Sequence, residues 1–196
     1  MSRNRADSYD QKVAHIRRTA AALYASNGFS RTSVAELARE CGVSKALIYH
    51  YYDSKEALLF DILQAYLAGL TAALATDPSA HPSKRDYLRH LIHAVLGEYR
   101  QAGYTHKLLL HDLHVLPPAD QDQLRATERT IVSQFEQAIT LAAQEAGHTT
   151  PPHGPRAMML LGTMNWTYTW FREDGPLRLD EYCDLLCDST IASLQS

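Results

Sequence analysis

The chain has 196 residues, of which 45% are hydrophobic and 21% charged, and it contains three cysteines. This is the make-up of one or two globular domains, and it excludes disordered, collagen-like and disulfide-framework classes. No run approaches ~18 uninterrupted apolar residues, which argues against a membrane partner. The polar start MSRNRADSYDQK predicts no secretory leader and hence a cytoplasmic protein with reduced thiols. The net charge of -3 hides an asymmetry. Residues 1–60 hold 9 Lys and Arg against 6 Asp and Glu (+3), and the rest of the chain holds 10 against 16 (-6). Either the charges are ordinary scatter or one end of the chain meets a polyanion.

In chain order nearly every segment has helical periodicity, and alternating strand patterns are absent. Over residues 10–26, Val13, Ile16, Ala20, Leu23 and Tyr24 share one face, and Asn27-Gly28 predicts a left-handed stop before Phe29 turns inward. Ser33 and Glu36 have capping-box spacing for a helix carrying Val34, Leu37 and Ala38 that ends at Cys41-Gly42. Ser44 is placed to cap the next helix, with Leu47, Ile48, Tyr49 and Tyr52. Ser54 is placed to cap a long one over 54–76, striped by Leu58, Leu59, Ile62, Leu63, Tyr66 and Leu70. After the turn-forming stretch from Asp77 to Ser83, further helices are expected over 83–102, 104–115, 119–146, 154–171 and 179–194. They are punctuated by Gly103, Pro117-Pro118, the loop over 148–154 and Gly175-Pro176. The expected fold is all-α, with about nine helices.

The stretch TSVAELARECGVSKALIYHYYDSKEALL, residues 32–59, describes two short helices joined by a tight turn. Ala38 allows close approach and Gly42 permits the turn. In a helix-turn-helix of this kind the second helix enters the DNA major groove. Its exposed face offers Ser44, Lys45, Tyr49 and His50, while Thr32, Ser33, Ser54 and Lys55 add hydroxyls, a cation and helix N-termini suited to phosphate. Short amphipathic helices with a glycine turn also occur in other all-helical proteins, and Tyr52 reads as a core aromatic.

Gly28-Phe29, Thr32-Ser33, Ala38 and then GVSKALIYHYYDSKEALL resemble the N-terminal domain of the TetR family of bacterial transcription regulators. Ala46 stands where many members have Gly, and Tyr52 replaces the commoner Phe, so its hydroxyl needs a partner. The resemblance implies an N-terminal three-helix DNA-binding domain over 1–54, with the helix-turn-helix at about 33–52, and a helical ligand-binding and dimerisation domain over 55–196. It implies phosphate contacts from Thr32 and Ser33, and base or backbone contacts from Ser44, Lys45 and Ala46. Tyr49 and His50 would meet the backbone or base edges, and Lys55 would anchor a phosphate. Arg3, Arg5 and Lys12 form either an N-terminal arm or a disordered tail.

The resemblance also implies a homodimer on a palindromic operator of double-stranded DNA. The helices at 154–171 and 179–194 would pair with their symmetry mates. Met158, Met159, Met164, Asn165, Trp166, Tyr168 and Trp170, with Tyr87, Leu91, Tyr99, Leu109 and Leu113, are candidate contacts for an apolar or aromatic small-molecule effector. Plain core is the alternative for each. Asn165 needs a polar partner inside an apolar helix. The run from Asn165 to Phe171, then Arg-Glu-Asp-Gly-Pro-Leu, is similar to a TetR subgroup that responds to acyl-CoA esters. Arg89, His93, Lys107, Arg125, Arg129 and Arg172 are then candidates for the CoA phosphates.

His90 with His93, and His111 with His114, each place two imidazoles on one helical face. No cysteine or carboxylate cluster completes a metal set, so neither metal nor cofactor is expected. Catalytic motifs are absent as well. The reading is a transcriptional repressor released by a small effector; the alternatives are an enzyme or a helical dimerisation protein without DNA binding.

Overall fold

The computed structural model describes the backbone over residues 2–148 and 153–194, and the side chains of these residues except 2–8 and 10. Among the described residues there are nine α-helices and no strand. They are α1 (Ser2–Asn27), α2 (Val34–Glu40), α3 (Lys45–Tyr51), α4 (Lys55–Ala73), α5 (Lys84–Gln101), α6 (Gly103–Asp112), α7 (Pro118–Glu145), α8 (His153–Asn165) and α9 (Leu179–Ala192). Short 3-10 turns occupy Pro78–Ala80, Leu113–Val115 and Trp166–Thr169. The helix starting before residue 10 and the break after Asn165 both depart from the sequence pattern. Of the loop over 148–154, residues 149–152 lie outside the described residues.

The helices form two compact units, Met1–Tyr66 with Ala102–Leu124, and Leu67–Gln101 with Arg125–Ser196. This is a partition by packing and differs from the functional division at 54/55 expected from the family resemblance. α4 contributes to both units, and α6 with the first turns of α7 belongs to the first.

In the first unit α1 packs on α2 and α6. Its core contains Ile16, Ala20, Tyr24, Phe29, Leu37, Ala38, Ile48, Leu58, Leu59 and Leu108. Tyr24 and Phe29 meet edge to face at 5.1 Å, an arrangement worth about 0.5–1.5 kcal/mol beyond the area buried. Gly28 closes α1 at φ 89°, with its N–H on Tyr24 O at 2.9 Å. The Tyr66 hydroxyl bonds His106 Nδ1 at 3.0 Å.

α4 has a mean hydropathy of 1.2 over 19 residues, so by length and composition alone it would suit a membrane span. The fold uses it as a core helix. Leu58, Leu59, Ile62, Leu63, Leu67, Leu70 and Leu74 are buried at helical spacing. Its Asp61 is bound through both oxygens by Arg17 of α1, at 2.5 and 2.6 Å, and accepts the Tyr52 hydroxyl at 2.5 Å. Tyr52 therefore has the partner that its hydroxyl requires, and burial with this bond pushes the phenol pKa up.

In the second unit α9 packs on α5 and α8, over a core that includes Leu88, Leu91, Ile92, Phe135, Ile139, Leu160, Met164 and Leu186. The seam between α5 and α9 carries polar contacts at helical repeat: the ion pairs Arg85 to Asp188 and Arg89 to Asp184, and a hydrogen bond between His93 Nε2 and Asp180 Oδ1 at 2.9 Å. Cys183 and Cys187 are buried here as free thiols, and burial pushes both pKa values up to about 11. Such thiols are unreactive at neutral pH.

Asp61→Ala is expected to destabilise the protein by about 1–3 kcal/mol, because it leaves a half-buried guanidinium and a hydroxyl without their acceptor. Tyr52→Phe, which keeps the Arg17 pair, is expected to cost roughly 1 kcal/mol. Urea denaturation midpoints measure both, and equal losses would contradict the cluster's arrangement.

Candidate nucleic-acid interface

α3 is held at four points. Its start is capped by Ser44, whose Oγ accepts the Leu47 N–H at 3.1 Å. The turn before it is closed by Gly42 at φ 66°, with Gly42 N–H on Arg39 O and Val43 N–H on Ala38 O at 3.1 and 2.9 Å. This pair of reversed bonds ends α2 in a Schellman motif that a side chain at position 42 would strain. Its buried contact is Ile48, and beyond its end Tyr52 is tied to Asp61.

These restraints turn Ser44, Lys45, Ala46, Tyr49 and His50 outward together, and all five are exposed. The Lys45 ammonium lies 5.6 Å from the Tyr49 ring centroid. Ser33 is exposed at the start of α2, where its Oγ accepts the Glu36 N–H at 3.1 Å. The reciprocal half of the expected capping box is replaced. The Glu36 carboxylate accepts Asn27 Nδ2 at 3.2 Å and so ties α2 to the end of α1. The exposed Ser33 and Ser44 hydroxyls keep their protons available to donate.

Two residues of the expected set play a different part. Thr32 is 1% exposed, and its hydroxyl donates to Gly28 O at 3.0 Å. The half-buried Lys55 donates to Phe29 O and Thr32 O at 3.0 and 2.9 Å, with its ammonium 4.5 Å from the Phe29 ring centroid. Both stabilise the turn between α1 and α2 from within. Lys12 is exposed, and the side chains of Arg3 and Arg5 lie outside the described residues. Tyr9 of α1 meets Tyr51 of α3 edge to face at 5.1 Å, an aromatic contact not read from the sequence.

Residues 16–62 match the model of the bacterial regulatory proteins of the tetR family, and residues 81–194 match the tetracyclin repressor-like C-terminal domain. The chain belongs to the TetR family. It is a DNA-binding transcriptional regulator of the helix-turn-helix type. It is 46% identical over 56 residues, 29% of its length, to the HTH-type transcriptional regulator YuxN of Bacillus subtilis (strain 168), and that match spans 19% of the relative. Its structure is similar to a TetR-family transcriptional regulator from Bordetella parapertussis 12822, with a TM-score of 0.82 and 27% identity over 91% of this chain and 93% of that one. It is also similar to AibR solved in complex with isovaleryl coenzyme A and operator DNA, with a TM-score of 0.73 and 25% identity over 93% and 97% of the two chains.

The candidate effector contacts of this TetR-family chain are drawn from both compact units. Tyr87 and Leu91 are buried in the second unit, where Tyr99 donates to Asn165 Oδ1 at 2.7 Å. Leu109 is buried and Leu113 half-buried in the first unit. Met158 is exposed on α8, Trp166 and Tyr168 are exposed in the 3-10 turn that follows Asn165, and Trp170 is exposed just after it. There Trp170 lies edge-on to Tyr182 at 5.1 Å.

Of the cations considered for phosphates, Arg89, His93 and Arg172 are engaged by Asp184, Asp180 and Asp174. Lys107, Arg125 and Arg129 are exposed. Beside the exposed Met159 and Leu185, a groove of about 340 Å³ runs between α8 and α9, lined also by Leu160, Thr163, Tyr182 and Leu186.

Lys55→Ala is expected to lower stability by about 1–3 kcal/mol, since two carbonyls lose a charged donor. Ser44→Ala is expected to cost about 1 kcal/mol through the lost cap. Thermal melts measure both, and an unchanged melting temperature for Lys55→Ala would return that lysine to the surface set.

Proposed function

We propose that this regulator is a homodimeric, cytoplasmic repressor that grips a palindromic operator through two copies of α3 and releases it when an acyl-CoA binds. Residues 1–54 read DNA, and residues 55–196 dimerise and hold the effector. Supporting the first part is the outward cluster of Ser33, Ser44, Lys45, Ala46, Tyr49 and His50, on a segment where Thr32 and Lys55 are engaged internally. Ser33 and the start of α3 take phosphates, while Lys45, Tyr49 and His50 reach base edges or backbone. Thr32 and Lys55 position this surface without carrying it.

Supporting the dimer is the apolar face of α8 and α9. Met158 and Met159 of α8, Trp166 just beyond it and Leu185 of α9 are 58%, 71%, 63% and 54% exposed, and Met159 and Leu185 line one groove between the two helices. A second copy covers it, and the twofold axis sets two α3 helices one DNA turn apart, about 34 Å.

Supporting the effector class are the Asn165–Phe171 run and the likeness to AibR, which was solved with isovaleryl coenzyme A. α4 and α7 each contribute residues to both units, so each is a continuous helical connection by which a change in one unit can reach the other. A coupling of about 1–3 kcal/mol would lower operator affinity from several-fold to about a hundredfold.

Lys45→Ala and Tyr49→Ala are expected to weaken operator binding at least about tenfold, a loss of about 1.4 kcal/mol, while melting temperature and dimer mass stay unchanged. Fluorescence anisotropy on the chain's own upstream DNA checks this, and unaltered affinity removes α3 from the interface. Leu185→Glu is expected to give a monomer by analytical ultracentrifugation and to lose operator binding with it. A monomeric parent protein would refute the twofold reading.

A further inference from the structure

The Ser44 cap fixes the start of α3 and Ile48 anchors its middle, but its last turn borders an open cleft of about 430 Å³. Tyr9, Val13 and Arg17 line this cleft from α1, Tyr51 and Tyr52 from the end of α3, and Asp61 from α4. The three α1 residues recur every fourth position and so share one side of that helix. Along the cleft α1 is joined to the end of α3 in two different ways. Arg17 and Tyr52 share the Asp61 carboxylate, which ties down the residue just beyond the helix. Tyr9 meets Tyr51 edge to face, with centroids 5.1 Å apart and planes at 69°. Tyr9 is 51% exposed, so the core of the first unit does not depend on it.

The contact continues outward. The half-buried Tyr51 ring lies edge-on to His50, with centroids 5.3 Å apart and planes at 63°. His50 is one of the exposed side chains on the outer face of α3. The three rings thus form a row from α1 to the DNA-facing set. Without Tyr9, the Tyr51 ring has the cleft beside it to swing into, and His50 loses its neighbour. An exposed side chain that is free to rotate must be ordered when it binds, whereas one held in place beforehand is not charged that entropy again.

Resting on the reading that α3 meets DNA, we infer that Tyr9 is a positioning residue for this helix. It holds Tyr51, and through Tyr51 the imidazole of His50, in place before DNA arrives. The ring does this work, and the phenol hydroxyl is not needed for it. The reading surface therefore depends on a side chain of α1 that lies outside the helix-turn-helix itself.

The test measures affinity by fluorescence anisotropy on the chain's own upstream DNA, with thermal melts of each variant. Tyr9→Ala is expected to weaken binding about three- to tenfold, with the melting temperature unchanged. Tyr9→Phe, which keeps the ring, is expected to bind like the wild type. The double variant Tyr9→Ala with His50→Ala is expected to bind no more weakly than His50→Ala alone, because both changes act through one contact.

If Tyr9→Phe binds as weakly as Tyr9→Ala, the hydroxyl itself touches DNA and the positioning role is overturned. Additive losses in the double variant overturn the route through His50. Lys45→Ala in the same assay separates this inference from the reading beneath it. A loss there with none in Tyr9→Ala overturns the role of Tyr9 alone, and no loss in either variant removes α3 from the interface and Tyr9 with it.

Discussion

The conformation of one short helix, α3, depends on a backbone torsion that only glycine adopts without strain. With Gly42 at φ 66°, the N–H groups of Gly42 and Val43 turn back onto the carbonyls of Arg39 and Ala38. The chain then reverses direction in the few residues between α2 and α3. A helix of seven residues is far below the length at which helices persist alone in water. Its stability therefore comes from its ends and its buried side: the Ser44 cap, the Ile48 contact and the Tyr52–Asp61–Arg17 cluster. Because these restraints lie on the inner side, the outer side is left for an external partner.

The polar residues near this helix divide between those that build the surface and those that form it. Lys55 and Thr32 carry groups suited to phosphate, yet both are directed at backbone carbonyls of the α1–α2 turn. That turn would otherwise leave several carbonyls poorly satisfied beside the Phe29 ring, and an internal ammonium with two acceptors meets the requirement. The surplus of positive charge in the first 60 residues is thus partly structural. The cationic contribution of Lys45 stands out more for it.

The second unit shows a complementary division. Its polar contacts line the α5–α9 seam at regular repeat, where partial exposure and solvent screening make each worth little on its own. They align the two helices more than they stabilise them. Exposed apolar side chains instead lie on α8, on α9 and in the 3-10 turn after α8, and Met159 and Leu185 line a groove between the two helices.

Periodicity and turn chemistry in the sequence by themselves determined the helical class, the nine helices, the stops at Gly28 and Gly42, and the caps at Ser33, Ser44 and Ser54. All of these are local: a cap or a left-handed stop depends on residues within a turn of one another. The outward set of Ser44, Lys45, Ala46, Tyr49 and His50 was legible for the same reason, because α3 is short and Ile48 marks its inner side. Only the tertiary structure decided that Lys55 and Thr32 face inward, that Asp61 joins Arg17 to Tyr52, and that Arg89 and His93 are occupied by α9. Most of these depend on partners tens of residues away, such as Phe29 for Lys55, Arg17 for Asp61 and the aspartates of α9 for Arg89 and His93, and a side chain's chemistry does not say which of several possible partners the fold will bring to it.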